Sequence, residues 1–196
     1  MQWERWKEVL RGYFGRGVHP HEMAFSLTFP LRRLILSPET LAERLHVDAC
    51  FRVLELGPGP GFFSAEVARR LPHGRLELFD LQRGMLQTAH QRLATADLHN
   101  VGFAQGDGRR LPFSAEAFDV VFLVAVLGEG PDPSACLSSI HRVLRQGGLF
   151  SNTEQPGDPD FLMLETVRTL AETEGFAFVE SYGRGRNYTA NFRKTR

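Results

Sequence analysis

The chain predicts an α/β fold in which a mostly parallel sheet is covered by helices on both faces. Three observations carry that prediction. Short apolar runs of strand length alternate with apolar positions at helical spacing from Phe51 onward. Such alternation places successive strands side by side and their connecting helices above and below. The run Val53-Leu-Glu-Leu-Gly-Pro-Gly-Pro-Gly61 reads as a buried strand that delivers an acidic residue and three alternating glycines into a tight turn. At 196 residues and 42% hydrophobic content, the chain suits a single domain with one packed core.

Taken in order, Trp3, Trp6, Leu10 and Tyr13 recur at spacings of three and four, so the first fourteen residues predict an amphipathic helix with an aromatic face. Gly12, Gly15 and Gly17 then loosen the chain, and His19 and His21 are read as loop histidines. Phe25, Leu27, Phe29 and Leu31 alternate ahead of Arg32 and Arg33, either lining a pocket or filling the core. Ser37 caps a helix that starts at Pro38, with Leu41 and Leu45 on one face.

After the glycine turn, Phe63, Val67 and Leu71 mark a helix, so the local order is strand, glycine loop, helix. Arg75-Leu-Glu-Leu-Phe-Asp80 is a second strand closing on Asp80, and Leu86, Ala89 and Leu93 mark the helix behind it. Phe118 to Phe122 is a further strand. Asp132-Pro133 opens a helix with Cys136, Ile140 and Leu144 inward, stopped by Gly147-Gly148. A last helix is expected from about Pro159 to Thr173, with Leu164, Val167 and Ala171 inward. Two strands then follow, Phe176 to Tyr182 and Tyr188 to Lys194, joined by a loop from Gly183 to Asn187.

The glycine turn is a nucleotide-binding loop, because glycines cluster where backbone must approach a ligand. Its spacing departs from the dinucleotide fingerprint G-x-G-x-x-G: the third glycine comes one position early and Phe62 stands where a small residue is needed. A P-loop requires a Gly-Lys-Ser/Thr ending, and no lysine lies between Lys7 and Lys194. Glu55 ahead of the loop suits a cationic ligand group better than a phosphate.

The joint pattern resembles the class I S-adenosylmethionine-dependent methyltransferases, in particular small ones similar to the ubiquinone and menaquinone biosynthesis enzymes. The residues that carry the resemblance are Glu55, Gly57, Gly59 and Gly61 at the first strand, Asp80 closing the second, Gly106-Asp107-Gly108 after the third, Leu111-Pro-Phe113 with Phe118 to Phe122 at the fourth, and Arg142 to Phe150 leading into the fifth. It covers roughly residues 31–196 and implies a three-layer Rossmann-like sandwich. The sheet would have seven strands, mostly parallel with an antiparallel C-terminal strand. Residues 1–47 would form a helical N-terminal cap and 48–196 the cofactor-binding core.

The resemblance also implies roles. The backbone of Gly57, Pro58, Gly59 and Gly61 accommodates the methionine portion of S-adenosylmethionine, and Glu55 orients its ammonium directly or through water. Asp80 accepts from both ribose hydroxyls, as a carboxylate can. Asp107, after Gly106, meets the adenine amino group, while Leu81, Met85 and Gly108 sandwich the ring. Glu129, just past the fourth strand, is the catalytic base candidate, with Glu154 a weaker one. The segment after the fourth strand lacks the Asn/Asp-Pro-Pro-Tyr/Phe run of base-directed amino-methyltransferases. The acceptor is therefore a small molecule methylated on O, C, S or N, and S-adenosylhomocysteine is the product. The rival readings are an S-adenosylmethionine-binding subunit without turnover and a nicotinamide-dependent oxidoreductase, the latter opposed by Phe62 and Asp107.

Bulk composition sets outer limits. Lys+Arg and Asp+Glu both total 23, so the basic excess of a dedicated nucleic-acid binder is missing. The clusters Arg32-Arg33, Arg109-Arg110 and Arg184 to Arg196 are read as solvated surface. Cys50 and Cys136 have no metal-site spacing and form no disulfide framework, which suits a reducing compartment. No apolar leader or membrane-length stretch is present, so a cytoplasmic location is expected.

The aromatic residues before position 31 would expose much apolar surface unless they cover something. The helix they predict either packs on the flank of the sheet or closes over the acceptor. Deleting residues 1–18 is expected to abolish methyl transfer while S-adenosylhomocysteine affinity falls by less than about tenfold, or ~1.4 kcal/mol. Loss of cofactor binding in that deletion would place the helix in the core instead.

Overall fold

The computed structural model describes residues 35–195. The aromatic face predicted around Trp3 and Trp6, the His19 and His21 loop and the alternating run from Phe25 to Leu31 lie outside the described residues. Ser37 caps α1 (Pro38–Arg44), its side chain accepting from the Thr40 backbone N–H at 3.1 Å with Pro38 in the first turn. There follow β1 (Arg52–Leu56), α2 (Ser64–Arg69), β2 (Arg75–Asp80), α3 (Arg83–Thr95), β3 (Val101–Gln105) and a short 3₁₀ turn at Gly108–Arg110. The second half comprises β4 (Phe118–Val124), α4 (Pro133–Val143), β5 (Leu144–Glu154), α5 (Leu164–Thr173), β6 (Phe176–Arg184) and β7 (Asn187–Lys194).

The seven strands form one sheet in the order β3-β2-β1-β4-β5-β7-β6. β1 to β5 pair in parallel, and β7 runs antiparallel to both β5 and β6. The two-fold alternation of strand side chains divides the core into two layers. Leu54, Leu56, Leu123 and Phe150 face α4 and α5 through Leu137, Ile140, Val167 and Ala171. Val53, Leu76, Leu78 and Phe122 face the other way, onto Leu41 of α1, Val67 of α2 and Leu86, Ala89 and Leu93 of α3. These strands are buried on both faces, which explains their nearly continuous apolar runs.

Three predicted boundaries shift. The last helix begins at Leu164 rather than near Pro159. Residues 156–163 instead turn: the Asp158 carboxylate accepts from the Asp160 N–H at 2.8 Å, and the Tyr188 hydroxyl donates to the Leu162 carbonyl at 2.8 Å. An Asp side chain that bonds the backbone two residues on competes with helix formation. α4 ends at Val143, and Leu144 is already the first residue of β5, paired with Phe118; the glycines at 147 and 148 lie inside that strand at a register shift. The hairpin between β6 and β7 needs only Gly185 and Arg186, so the strands reach further into the expected loop than residue patterning indicates.

α1 is fastened to β7, between β5 and the edge strand β6. The Arg44 guanidinium donates to the Thr189 hydroxyl at 2.9 Å, and the Asn191 amide donates back to the Arg44 carbonyl at 2.8 Å. The parallel strands therefore present all their carboxyl ends along one edge, where α/β sheets bind ligands.

Candidate functional site

β1 delivers Glu55, Gly57, Pro58, Gly59 and Gly61 to that edge. In the alternation of β1, Glu55 shares the face of Val53, so it points into the layer of α1 to α3 and is only 3% exposed. The Ser64 hydroxyl, at the first residue of α2, donates to Glu55 Oε2 at 2.5 Å. Serine nine positions after the acidic residue is the signal that would have disclosed this pair from sequence.

Gly57 takes φ +68°, a left-handed conformation that other residues adopt rarely. It also lacks room for a side chain: a Cβ there would lie 2.5 Å from Val126 Cγ2. Val126 follows Ala125, the residue just past β4, which takes φ +55°, an uncommon conformation for a non-glycine residue. The turn after β1 and the loop after β4 thus fit against one another. Gly59 and Gly61 continue the left-handed path at φ +53° and +75°.

Asp80 closes β2 beside this turn and is 7% exposed. One carboxylate oxygen accepts from the Gly59 N–H at 3.3 Å and the other from the Gln82 N–H at 2.8 Å. Burial raises its pKa, and the two backbone donors oppose that rise. Each oxygen keeps a further lone pair. Leu81, next in the chain, is 52% exposed, one of four large apolar side chains left open among the described residues. Met85 is 2% exposed and presents no open face to a ring, in contrast to the role given it from sequence.

Gly106, Asp107 and Gly108 follow β3 directly. A Cβ at Gly106 would lie 2.7 Å from the Phe79 ring, and one at Gly108 would lie 3.3 Å from Leu56. Asp107 caps the 3₁₀ turn through the Arg109 N–H at 2.9 Å, and its two oxygens receive Arg109 Nε and Nη2 in a fork. Those bonds hold its pKa down to about 2. The carboxylate expected from sequence to meet an adenine amino group is therefore already engaged by Arg109, a neighbour that the sequence motif alone does not bring forward.

Glu129 lies in the loop after β4 and Glu154 at the end of β5, where both base candidates were expected. Burial raises Glu129 to about 8, with further increases from Asp158, Asp160, Asp80 and Glu154 in that order. Glu154, 0% exposed, is raised to about 7 mainly by burial, against hydrogen bonds from the Asn152 side chain and the Leu162 backbone. Asp158 is raised as well, again chiefly by burial. Asp158 and Asp160 stand in a Gly-Asp-Pro-Asp turn after the fifth strand that sequence reading passed over. The turn packs on the β4 loop so closely that a Cβ at Gly128 would fall 1.9 Å from the Asp160 carbonyl. Among the described residues no three His, Cys, Asp or Glu side chains converge as a metal site, and no helix is long and apolar enough to cross a membrane.

The structure thus brings together Glu55, the glycine turn, Asp80, Leu81 and Asp107 along the ends of β1, β2 and β3. It sets Glu129 and Glu154 beside them at β4 and β5. The donor set suits an adenosyl ligand: a carboxylate with free lone pairs at the end of β2, an exposed leucine beside it and a second carboxylate on the adjoining strand end.

Comparison with known proteins agrees. Residues 53–148 match the family described as a methyltransferase domain. The demethylmenaquinone methyltransferase of Listeria monocytogenes is 30% identical over 143 residues, covering 70% of this chain and 60% of the relative. That of Geobacillus stearothermophilus is 26% identical over 159 residues, 80% of this chain and 67% of the relative. The chain therefore spans 60% of the length of the Listeria protein. An S-adenosylmethionine-dependent methyltransferase from Aquifex aeolicus superposes with a TM-score of 0.84 at 17% identity, over 91% of this chain and 100% of that one. The [4+2]-cyclase SpnF superposes at 0.73 with 20% identity, over 83% and 80%. At such identities the structural likeness shows the fold.

The raised carboxyls make stability depend on pH. Glu129 and Glu154 bind protons more tightly folded than at their ordinary 4.5, so the stability they contribute is greatest below that value and is lost as pH rises through about 7 and about 8. Asp107 acts oppositely, but only below its ordinary 3.8, outside this window. Without ligand, the melting temperature is expected to fall between about pH 5 and pH 8.5. Glu129→Gln should flatten that fall, and an identical slope in the variant would contradict the burial of Glu129.

Proposed function

We propose that the chain, whose residues 53–148 match a methyltransferase domain, is a class I S-adenosylmethionine-dependent methyltransferase that moves a methyl group from S-adenosylmethionine to a small-molecule acceptor. The observation that carries this reading is the Asp80 carboxylate, which ends β2 and joins the Gly59 N–H of the glycine turn at 3.3 Å. That contact sets a diol-accepting group beside a tight turn at adjacent strand ends. When bound, the cofactor supplies an electrophilic methyl on a sulfonium, which is lost in an in-line displacement.

The chain's own residues bind and orient. In this reading the Gly57 to Gly61 backbone accommodates the amino-acid portion, and Glu55, steadied by Ser64, acts on the ammonium directly or through water. Asp80 accepts from the ribose hydroxyls. Asp107 shares its oxygens between Arg109 and the adenine amino group, with Leu81 and Gly108 against the ring. Holding methyl and nucleophile in contact supplies on the order of 7–11 kcal/mol of the barrier. Glu129 is the base: a carboxyl raised to about 8 keeps proton affinity near neutral pH, where such a group transfers protons best. The names of the Listeria and Geobacillus relatives offer demethylmenaquinone as one acceptor to be tried.

Asp80→Ala is expected to leave the fold intact and to cost roughly 1.5–3 kcal/mol of S-adenosylhomocysteine affinity in a calorimetric titration, the scale of hydrogen bonds to a charged group. Unchanged affinity would place the ribose elsewhere.

A further inference from the structure

The two outer strands of the sheet are built differently. β6, at one side, interrupts its ladder with a register shift between Phe178 and Glu180 and carries Glu180 and Arg184. Irregularities and charges of that kind keep an edge strand from pairing with another chain. β3, at the other side, has neither. Its residues Val101–Gln105 include no charge and no proline, and they pair with β2 in unbroken register. The Leu76 N–H donates to the Asn100 carbonyl at 3.0 Å, and the Gly106 N–H donates to the Asp80 carbonyl at 3.0 Å. By the alternation of a parallel ladder, Gly102 and Ala104 also bond inward, while Val101, Phe103 and Gln105 turn their N–H and C=O groups away from β2.

Beside that edge a groove of about 560 Å³ runs between β3 and α3, with Arg83, Gln87, His90, Gln91, Phe103 and Gln105 in its lining. Phe103 is partly buried and meets the His90 ring edge-on at 5.1 Å, while the other lining side chains named here are exposed. In a chain whose charges balance, α3 and β3 carry Arg83 and Arg92 and no acid. The nearest carboxylates are otherwise engaged. Glu77 alternates with Leu76 and Leu78, so it faces away from α3, and it pairs with Arg75. Asp80 receives the Gly59 and Gln82 N–H groups, and Asp97, beyond α3, meets His99 at 2.9 Å.

Backbone donors and acceptors at every second residue match an extended polypeptide rather than a nucleic acid or a lipid surface. A second copy of this chain paired edge to edge would bring together two flanks of the same sign. We propose that the outer edge of β3 receives an extended segment of a different protein, which adds to the sheet as a further strand and lays acidic side chains in the groove against Arg83 and His90.

The test uses the full chain and labelled peptides of about ten residues that alternate threonine with glutamate or with lysine, followed by fluorescence anisotropy. The glutamate peptide is expected to bind at least about tenfold more tightly than the lysine peptide, and methylating its backbone nitrogens should cost about tenfold or more. Hydrogen exchange read residue by residue should show the Val101, Phe103 and Gln105 amides slowed by the glutamate peptide, with Gly102 and Ala104 unchanged. Arg83→Glu combined with His90→Glu should reverse the preference between the two peptides, and a melting temperature within about 3 °C of the parent reports that the variant folds. Should it not fold, the exchange pattern of the parent decides. Equal binding of the two peptides, no binding at about 1 mM, indifference to backbone methylation or protection of other amides overturns the proposal. So does slowing of the same three amides by rising protein concentration alone, which would make a second copy the occupant. Tighter binding of a DNA duplex or of anionic vesicles, with those amides still exchanging freely, overturns it as well.

Discussion

At the carboxyl end of β1 the backbone turns left-handed at Gly57 while Val126 fills the space that a side chain there would need. Much of the ligand edge depends on that one fit. It lets the first turn lie flat against the loop from β4, and it keeps Gly59 within reach of the Asp80 carboxylate. The same β4 loop then meets the turn after β5 at Gly128. Backbone from four strand ends is thereby locked together with little help from long side chains, which leaves carboxylates free to face a ligand.

Those carboxylates differ in what surrounds them, and the differences separate their uses. Asp107 is half exposed and forked by Arg109, so it stays ionised at any ordinary pH. Asp80 is buried but receives two backbone N–H groups, which limits the cost of its charge. Glu129, partly buried, and Glu154, fully buried, sit close to further acids, and in Glu154 burial outweighs its bonds from Asn152 and the Leu162 backbone, so both hold protons near neutrality. A sheet edge so arranged carries ionised carboxylates at the ends of β2 and β3 and carboxyls that hold protons near neutrality at the ends of β4 and β5.

Much of this was legible in the residues. Ser37 and Pro38 announced α1, the periods of β1 and β2 were unambiguous, and the Glu55, Asp80 and Asp107 series pointed to one edge of one sheet. What stayed hidden depended on contacts between distant segments. Nothing local says that Val126 needs Gly57 bare, that Arg109 engages Asp107, or that Met85 is buried. The start of α5 was misjudged because Pro159 looks like a first-turn residue, whereas Asp158 and Tyr188 hold residues 156–163 in a turn. Glu129 and Glu154 could be named from position alone, but their shared surroundings arise from Asp158 and Asp160, which the chain brings close only after β5.

The fold by itself does not decide the chemistry, since a methyltransferase from Aquifex aeolicus and the cyclase SpnF share it with this chain. The ligand that the glycine turn and Asp80 receive together decides it. Calorimetric titration of the purified full chain with S-adenosylhomocysteine, NAD and ATP tests it most directly. Saturable binding of S-adenosylhomocysteine is expected, and none of the other two. Binding of NAD, with no response to S-adenosylhomocysteine, would contradict it.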